Sequence, residues 1–332
     1  MVTGPASRAA AAAGDPAISA MYCGYVEFSF DAPRGQHVPF PTQPRDKSWS
    51  RADTRTVLPC LHPVVEKRKT VPLAAIRIAE LARELELAAL ECSGVPKVTD
   101  AEPDLSLADA YDVQWVLRER RLRCGRTLTG LKMGLTSLAK MKQMGVDTPI
   151  YGFLLDEFRI DDGADVWTQE LIHPRVEAEI AFVTRKPLQG PGCTLETALA
   201  AIDYAVPALE VIDSRYRDFR FDLASVVADN ASSARYVAGR AHTAIDGLDL
   251  PALEVVLERN GERVARGLGA AVLGHPALSL AMLANQLALR EQQIPSGTFV
   301  MTGGITEAVA ARAGDRFVAR HRHLGSVSVQ FV

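Results

Sequence analysis

The sequence predicts an α+β fold, because segments with helical periodicity come first along the chain and strand-like segments follow. Between about residues 71 and 145, apolar residues recur every three or four positions, which is typical of helices that pack on a core. After Pro174, short apolar runs and one alternating segment indicate strands. No internal repeat is visible.

The composition is that of an ordinary globular protein. Hydrophobic residues make up 48% of the 332 residues and charged residues 23%. The net charge of −3 provides no basic field for a phosphate backbone, and no apolar stretch is long enough for a membrane helix. The five cysteines form no CxxC pair, so neither a disulfide framework nor a zinc ribbon is indicated. The sequence therefore predicts a cytoplasmic protein that binds neither nucleic acid nor membrane.

The first 70 residues differ from the rest. They hold eight of the 19 prolines and show no sustained periodicity. Fixed φ angles and missing N–H groups make regular elements unfavourable there. We interpret residues 1–70 as a mostly disordered N-terminal extension and residues 71–332 as one folded domain. The alternatives for residues 1–70 are a small extra domain and a chain start placed too far upstream.

Three helices are expected at the start of this domain. The first begins near Pro72, ends at Gly94 and buries a stripe formed by Ile78, Leu81, Leu85 and Ala88. A second begins at Ser106, which can form a reciprocal cap with Asp109, and stops at Gly125. A third, short helix is bounded by Ser137 and Gly145.

Strands are expected further along, at Val176–Val183, Ala205–Ile212 and Ser326–Val332. In the first of these, Glu177 and Glu179 are two residues apart, so their carboxylates project from one face roughly 6–7 Å from each other. A third acid, Glu210, lies in the second strand. Hard cations such as Mg²⁺ or Mn²⁺ prefer carboxylate oxygens and would remove the repulsion between such acids. Solvated glutamates paired with arginines are the alternative, because alternating acids are common on wet sheet faces.

Other polar positions allow two interpretations each. Lys132 lies between apolar neighbours, where it could pair with an anion or extend from a strand end into water. The short polar side chains of Val227–Ser233 could position a carboxylate or cap a turn. The Met301–Ile305 segment has two glycines but no phosphate-loop lysine, so no nucleotide site is predicted. We expect His321 and His323 to be surface residues.

Several long segments are similar to the 4-oxalocrotonate decarboxylases, in the hydratase/decarboxylase branch of the fumarylacetoacetate-hydrolase superfamily. The similarity runs from about Val71 to Val332, and residues 1–70 have no counterpart in it. It is carried by LKMGLTSLAKMKQMGVDTPIYGFL, HPRVEAEIAFV, GPGCTLETALAAIDYAVPALEVIDSRY, VVADNASS, AVLGHPALSLAMLAN and IPSGTFVMTGGIT.

The resemblance implies a rolled mixed β-sheet with flanking N-terminal helices, and a Mg²⁺ or Mn²⁺ ion. It implies that the helix Ser137–Gly145 is a lid over the site. The roles it implies are metal ligands at Glu177, Glu179 and Glu210, an active-site lysine at Lys132, and substrate contacts at Met144 and Ser232.

The implied activity is decarboxylation of 2-oxo-3-hexenedioate to 2-hydroxypenta-2,4-dienoate and CO₂, in the meta-cleavage catabolism of aromatic compounds. The expected partners are this small 2-oxo diacid, further copies of the chain, and a vinylpyruvate hydratase with which the enzyme could form a complex. The alternatives are a 2-hydroxypenta-2,4-dienoate hydratase and a non-catalytic partner subunit of such a hydratase.

One position separates these activities. The related hydratases carry an aspartate where this chain has Ile150, in the substrate-contacting stretch after the lid. An apolar residue there removes a proton relay that water addition would use, which favours decarboxylation. Arg215 is a candidate for binding the terminal carboxylate of the substrate.

Overall fold

The structure, a computed structural model, describes residues 73–137, 141–142, 146 and 148–332. These residues belong to one compact unit, Lys69–Val332. The described helices of four or more residues are α1 (Ala75–Leu90), α2 (Val98–Ala101), α3 (Leu107–Arg123), α4 (Leu195–Ala201), α5 (Leu223–Ala228) and α6 (Leu278–Ala288).

Strands occupy most of the chain after α3. They are β1 (Leu128–Gly134), β2 (Ile150–Leu155), β3 (Arg159–Ile160), β4 (Asp165–Val166), β5 (Arg175–Thr184), β6 (Ile202–Ile212), β7 (Ser233–Ala238), β8 (Glu254–Arg259), β9 (Glu262–Leu268), β10 (Phe299–Met301), β11 (Val309–Ala310), β12 (Arg316–His321) and β13 (Gly325–Phe331).

The strands form two mixed sheets. The larger has the order β2-β1-β10-β5-β6-β7-β3, with β11 also paired to β5, and the smaller has the order β4-β13-β12-β8-β9. β1 runs parallel to β10, β3 to β7 and β4 to β13, whereas the other neighbours are antiparallel. The predicted α+β class with a mixed sheet is confirmed.

The main core combines residues of both sheets and of α6. On β5 the even-numbered side chains, Val176, Ala178, Ile180 and Phe182, belong to this core together with Phe317 and Phe331 of the smaller sheet. Side chains alternate between the two faces of a strand. The odd-numbered side chains of β5 therefore lie on the opposite face of the sheet, which carries the acids.

The N-terminal helices pack around one end of the larger sheet. The predicted stripe of α1 is buried, and α3 begins with the predicted capping box between Ser106 and Asp109. Both helices join α5 in a second apolar cluster that includes Ile150. The side chain of Gln114 donates to the carbonyl oxygens of Tyr151 (3.0 Å) and Val227 (2.9 Å), which ties α3 to β2 and α5.

The predicted strands and the first two predicted helices are confirmed. Of the third helix, Met141 and Lys142 are helical, whereas Met144 and most of its neighbours lie outside the described residues. Residues 1–72 lie outside them as well, so the expectation for the N-terminal extension stays a prediction. No helix in the described ranges is long and apolar enough to cross a membrane.

Candidate metal centre

Three buried carboxylates meet on the outer face of β5 and β6. Glu177 and Glu179 share this face of β5, and the strand register places Glu177 directly opposite Glu210 on β6. One carboxylate oxygen of each residue lies within 4.8 Å of the others. The residues are only 6%, 0% and 0% exposed, respectively. The alternative of solvated acids on a wet sheet face is therefore wrong.

The surroundings of these acids disfavour negative charge. An apolar cluster lies on the same face of the sheet, formed by Leu154, Ala181, Ala208, Tyr236 and Met301. Burial, followed by the like charge of Glu210, raises the pKa of Glu179 well above its usual value, and Lys132 offsets part of this effect. Burial also raises the pKa of Glu210, again against the effect of Lys132. Without a cation, the cluster favours a bound proton.

The hydrogen bonds of the acids leave oxygens for a ligand. Glu179 Oε2 accepts a bond from the backbone N–H of Gly303 at 2.8 Å. Glu210 Oε2 lies 2.8 Å from Lys132 Nζ. The other oxygen of each of these two carboxylates has no hydrogen-bond donor among the described residues. Buried carboxylate oxygens without donors are strongly unfavourable, and a hard divalent cation that prefers oxygen ligands fits this donor set.

Lys132 is buried beside the acids. It lies in β1, is 3% exposed, and its ammonium also donates to the carbonyl oxygen of Ala231 at 3.2 Å. The lysine therefore does not extend into solvent, which excludes that alternative. Its neighbour across the sheet is Gly152, where a Cβ would lie 2.8 Å from Asn230 Oδ1. A glycine at that position lets the loop after α5 approach the lysine closely.

That loop has an uncommon backbone. Asn230, Ala231 and Ser232 have φ angles of 51°, 51° and 57°, in the left-handed region that L-residues other than asparagine and aspartate rarely adopt. The Asn230 amide holds the loop, since its Oδ1 accepts from the Phe153 N–H (2.8 Å) and its Nδ2 donates to the Phe153 carbonyl (3.0 Å). The loop presents the Ala231 carbonyl oxygen to Lys132.

Two predicted substrate-contacting residues lie at the same loop. Ser232 is 2% exposed, and its hydroxyl donates to Asp229 at 3.3 Å. Ile150 is 3% exposed and belongs to the same apolar cluster as Ala231. A Cβ at Gly134 would lie 3.2 Å from Ile150 Cγ1 and 3.7 Å from Ala231 Cβ, so these side chains line one small region. The structure thus places Lys132 against Glu210 and against the loop that carries Ser232 and that Ile150 adjoins, whereas Met144 lies outside the described residues.

The expectation that His321 is a surface residue is wrong. His321 is buried, burial lowers its pKa to about 4, and its Nε2–H donates to the Glu179 carbonyl oxygen at 2.8 Å. It shares a face of β12 with Phe317 and Ala319, and this alternation with apolar residues was the signal that it points inward. His323, in contrast, is exposed in the following turn.

The expectation that Arg215 could bind the terminal carboxylate of the substrate is also wrong. It is 6% exposed, and its guanidinium is bonded to the Asp229 carboxylate and carbonyl and to the carbonyl oxygens of Asp213 (2.7 Å) and Ser233 (3.0 Å). The arginine has a structural role, because its bonds support the loop that carries Ser232.

The Thr302–Thr306 segment contacts the acids, and the Gly303 N–H bonds directly to Glu179. Nothing in the sequence indicated this contact.

Comparison with known proteins gives a consistent result. A family model described as Fumarylacetoacetate (FAA) hydrolase C-terminal matches residues 140–332. The chain is 56% identical over 256 residues to the 4-oxalocrotonate decarboxylase of Pseudomonas sp. (strain CF600). The aligned region covers 77% of this chain and 97% of that relative. It is 39% identical over 236 residues to the 2-hydroxyhexa-2,4-dienoate hydratase of Comamonas testosteroni, covering 70% and 89% of the two chains.

Solved structures agree with this result. The structure of 4-oxalocrotonate decarboxylase from Pseudomonas putida G7, complexed with magnesium and adipate, matches with a TM-score of 0.78 and 54% identity, over 79% of this chain and all of that one. This likeness confirms the predicted rolled mixed sheet with flanking helices. The chain belongs to the fumarylacetoacetate hydrolase family, in the branch that contains the 4-oxalocrotonate decarboxylases and their related hydratases.

Proposed function

We propose that this protein is a decarboxylase of 2-oxo-3-hexenedioate that depends on Mg²⁺ or Mn²⁺ bound by Glu177, Glu179 and Glu210. The observation that carries the proposal is the set of three buried carboxylates, of which Glu179 and Glu210 each keep an oxygen without a donor among the described residues. The 56% identity to a 4-oxalocrotonate decarboxylase supports the reaction. The relative solved with magnesium and adipate supports both the ion and a six-carbon diacid as substrate.

The substrate contains the electron path for its own decarboxylation. Its terminal carboxylate is vinylogous to a β-keto acid, so the C5–C6 bond can break and release CO₂. The electron pair of that bond moves through the C3–C4 alkene onto the C2 oxygen, and protonation of this oxygen gives 2-hydroxypenta-2,4-dienoate. A bound divalent cation supplies Lewis-acid stabilisation of the charge that develops on oxygen.

Residues of the chain complete this site. The ammonium of Lys132 provides a buried positive charge that holds an anionic oxygen of the substrate, and its place beside Glu210 fixes its position. Ser232 and Met144 contact the substrate, as the family resemblance implies. Apolar side chains such as Ile150 keep water from the dienolate, which strengthens these electrostatic interactions.

The side chain of Ile150 favours decarboxylation over hydration. Water addition to the product requires a group that moves a proton to or from carbon and water. Ile150 is buried and apolar, and the three acids of the site are engaged as metal ligands in the proposed enzyme. The further carboxylate near Ser232, that of Asp229, is already bonded to Arg215, so Ile150 leaves that proton transfer without a dedicated group among the described residues.

We further propose that the enzyme is a cytoplasmic homo-oligomer that works beside a vinylpyruvate hydratase. Its product, an unstable dienol, is the substrate of that hydratase, so release close to it limits loss by tautomerisation. Sedimentation of the purified protein should give a mass above the 35.9 kDa of one chain. A mass of one chain at working concentrations would contradict the oligomer.

The activity is tested by a direct assay. Purified protein with Mg²⁺ and 2-oxo-3-hexenedioate should release one CO₂ for each molecule of 2-hydroxypenta-2,4-dienoate, followed by ultraviolet absorbance and by a coupled CO₂ measurement. Rapid hydration of 2-hydroxypenta-2,4-dienoate without CO₂ release from the diacid would identify a hydratase. The absence of both activities, despite intact metal binding, would support a non-catalytic subunit.

A further inference from the structure

The Thr302–Thr306 loop covers β5 where its neighbouring strands are interrupted. On this side of β5, β10 ends with Met301 opposite Ala181, and β11 begins with Val309 opposite Val176. The two acids of β5 lie in the interval between these pairings. In this interval the loop, and not a regular strand, provides hydrogen-bond partners for the backbone of β5.

The side chains of both threonines bond to the backbone of β5. Thr302 donates to the Ile180 carbonyl oxygen through its hydroxyl (2.8 Å) and its backbone N–H (3.2 Å). The hydroxyl of Thr306 accepts from the N–H of Ala178 at 3.0 Å, and the N–H of Ile305 donates to the Ala178 carbonyl at 3.0 Å. These bonds hold Ala178 and Ile180, the residues immediately before and after Glu179.

The two glycines between the threonines contact the carboxylates themselves. The N–H of Gly303 donates to Glu179 Oε2 at 2.8 Å. A Cβ built on Gly304 would lie 2.4 Å from Glu177 Oε2 and 2.8 Å from Glu177 Cδ, so this carboxylate rests on the Gly304 backbone. The φ of Gly304 is not in the left-handed region. An alanine there would meet the carboxylate without straining its own backbone.

We propose that the Thr302–Thr306 loop is a positioning clamp that holds Glu177 and Glu179 in the arrangement that binds the cation. A cation is bound by the charged form of these acids, and three charged carboxylates whose oxygens lie within 4.8 Å of one another repel and tend to move apart. The clamp opposes this movement through bonds to the strand and contacts with both side chains. This inference rests on the proposed metal site, and the loop residues are positioning residues that need not touch substrate.

Substitution of Gly304 tests the carboxylate contact. Gly304→Ala places a methyl group where Glu177 Oε2 lies, so we expect the dissociation constant for Mn²⁺, measured by electron paramagnetic resonance, to rise about 10- to 100-fold. The thermal midpoint of the metal-free variant should stay close to that of the wild type. Gly94→Ala is the control, because the atoms nearest to its Cβ would belong to Arg217, at 3.3 Å, and not to the acids.

Substitution of Thr306 tests the tie to the strand. Thr306→Val removes the acceptor for Ala178 and should weaken Mn²⁺ binding, whereas Thr306→Ser keeps the hydroxyl and should restore it. Thr184→Val, at the far end of the same strand, removes a hydroxyl that donates to the Pro295 carbonyl (2.7 Å) and accepts from the Thr298 N–H (3.0 Å). This control should lower thermal stability by a similar amount but leave the Mn²⁺ affinity unchanged.

Four proteins separate failure of the clamp from failure of the metal site. If wild type binds Mn²⁺ no better than Glu179→Gln, the proposed metal site is wrong and the clamp with it. If wild type binds and Glu179→Gln does not, the metal site stands. In that case, Mn²⁺ affinities of Gly304→Ala and Thr306→Val within about twofold of wild type would overturn the clamp alone.

Discussion

Glu179 is held at two points and keeps one carboxylate oxygen to bind a ligand. Its backbone carbonyl accepts from His321, one carboxylate oxygen accepts from Gly303, and the other has no donor among the described residues. The charged form of this residue is unfavourable in the metal-free protein, because burial removes its hydration and one of its oxygens has no donor. Binding of a divalent cation removes that disadvantage, so the same geometry that destabilises the fold favours the ligand.

The pH dependence of the metal-free protein should show this disadvantage. Burial and Glu210 raise the pKa of Glu179 above 4.5, so folding favours its protonated form. Its stabilising contribution is present below about pH 4.5 and is lost as the pH rises through the folded-state pKa. Glu179→Gln should therefore gain stability relative to wild type as the pH rises, by at most about 1.4 kcal/mol per pH unit.

Urea denaturation in EDTA at several pH values measures this difference. His321, whose pKa is lowered from 6.5 to about 4, has the opposite dependence, because its contribution is lost as the pH falls through that range. It is present in both proteins, so it cancels in the comparison. An unchanged difference between wild type and Glu179→Gln from about pH 5 to pH 8 would contradict the account of this residue.

Reaction choice is expected to depend on Ile150. In the wild type, hydration of the dienol product should be at least about a hundredfold slower than CO₂ release, the usual scale of one positioned acid–base group. Ile150→Asp should weaken decarboxylation and introduce measurable hydration, as followed by both assays. Ile150→Val, which keeps an apolar side chain, is the matched control. Efficient hydration by the wild type would show that an apolar residue here does not determine the reaction.

Contacts between residues close in sequence could be predicted, whereas contacts between residues far apart in sequence could not. The spacing of Glu177 and Glu179 predicts a shared face because it follows from the geometry of one strand. The contact of His321 with Glu179 joins residues 142 positions apart, and that of Gly303 with Glu179 joins residues 124 apart. No local periodicity contains such pairings, so neither contact with Glu179 could be predicted. The inward direction of the His321 side chain, in contrast, follows from its alternation with Phe317 and Ala319 on β12.

At the scale of elements, the register of β5 and β6 assembles the acids. Their antiparallel pairing places Glu177 opposite Glu210, whereas a shift of one residue would send all side chains of one strand to its other face. Both strands could be predicted from their apolar runs. Their register could not, because it depends on the core between the two sheets, whose strands come from widely separated parts of the chain.

Substitution of Gln114, whose hydrogen bonds connect α3 to β2 and α5, is expected to lower the stability of the fold. This side chain is 4% exposed and donates to the carbonyl oxygens of Tyr151 and Val227. Gln114→Leu leaves both carbonyls without this donor, and we expect a loss of about 1 to 3 kcal/mol in the free energy of unfolding. Urea denaturation measures the loss, with the exposed Gln293→Leu as a control that should change little. Equal stability of both variants would contradict the tie.

At the scale of the whole molecule, the catalytic unit should be independent of the N-terminal segment. The described residues belong to one compact unit, Lys69–Val332. The match to the decarboxylase of strain CF600 covers 97% of that relative with 77% of this chain. A chain that starts near Lys69 is therefore expected to keep the kcat and the thermal midpoint of the full-length protein. A large drop in the thermal midpoint would show that residues 1–68 contribute to the packing of the fold.

Dependence of CO₂ release on the cation tests the central claim most directly. Protein stripped with EDTA should release no CO₂ from 2-oxo-3-hexenedioate, and Mg²⁺ or Mn²⁺ should restore release in the wild type. Glu179→Gln should remain folded but stay at least about a hundredfold slower at the same metal concentration, because one of the three charged ligands is lost. Full activity of the stripped wild type, or normal activity of the variant, would contradict a metal-dependent decarboxylase built on these three acids.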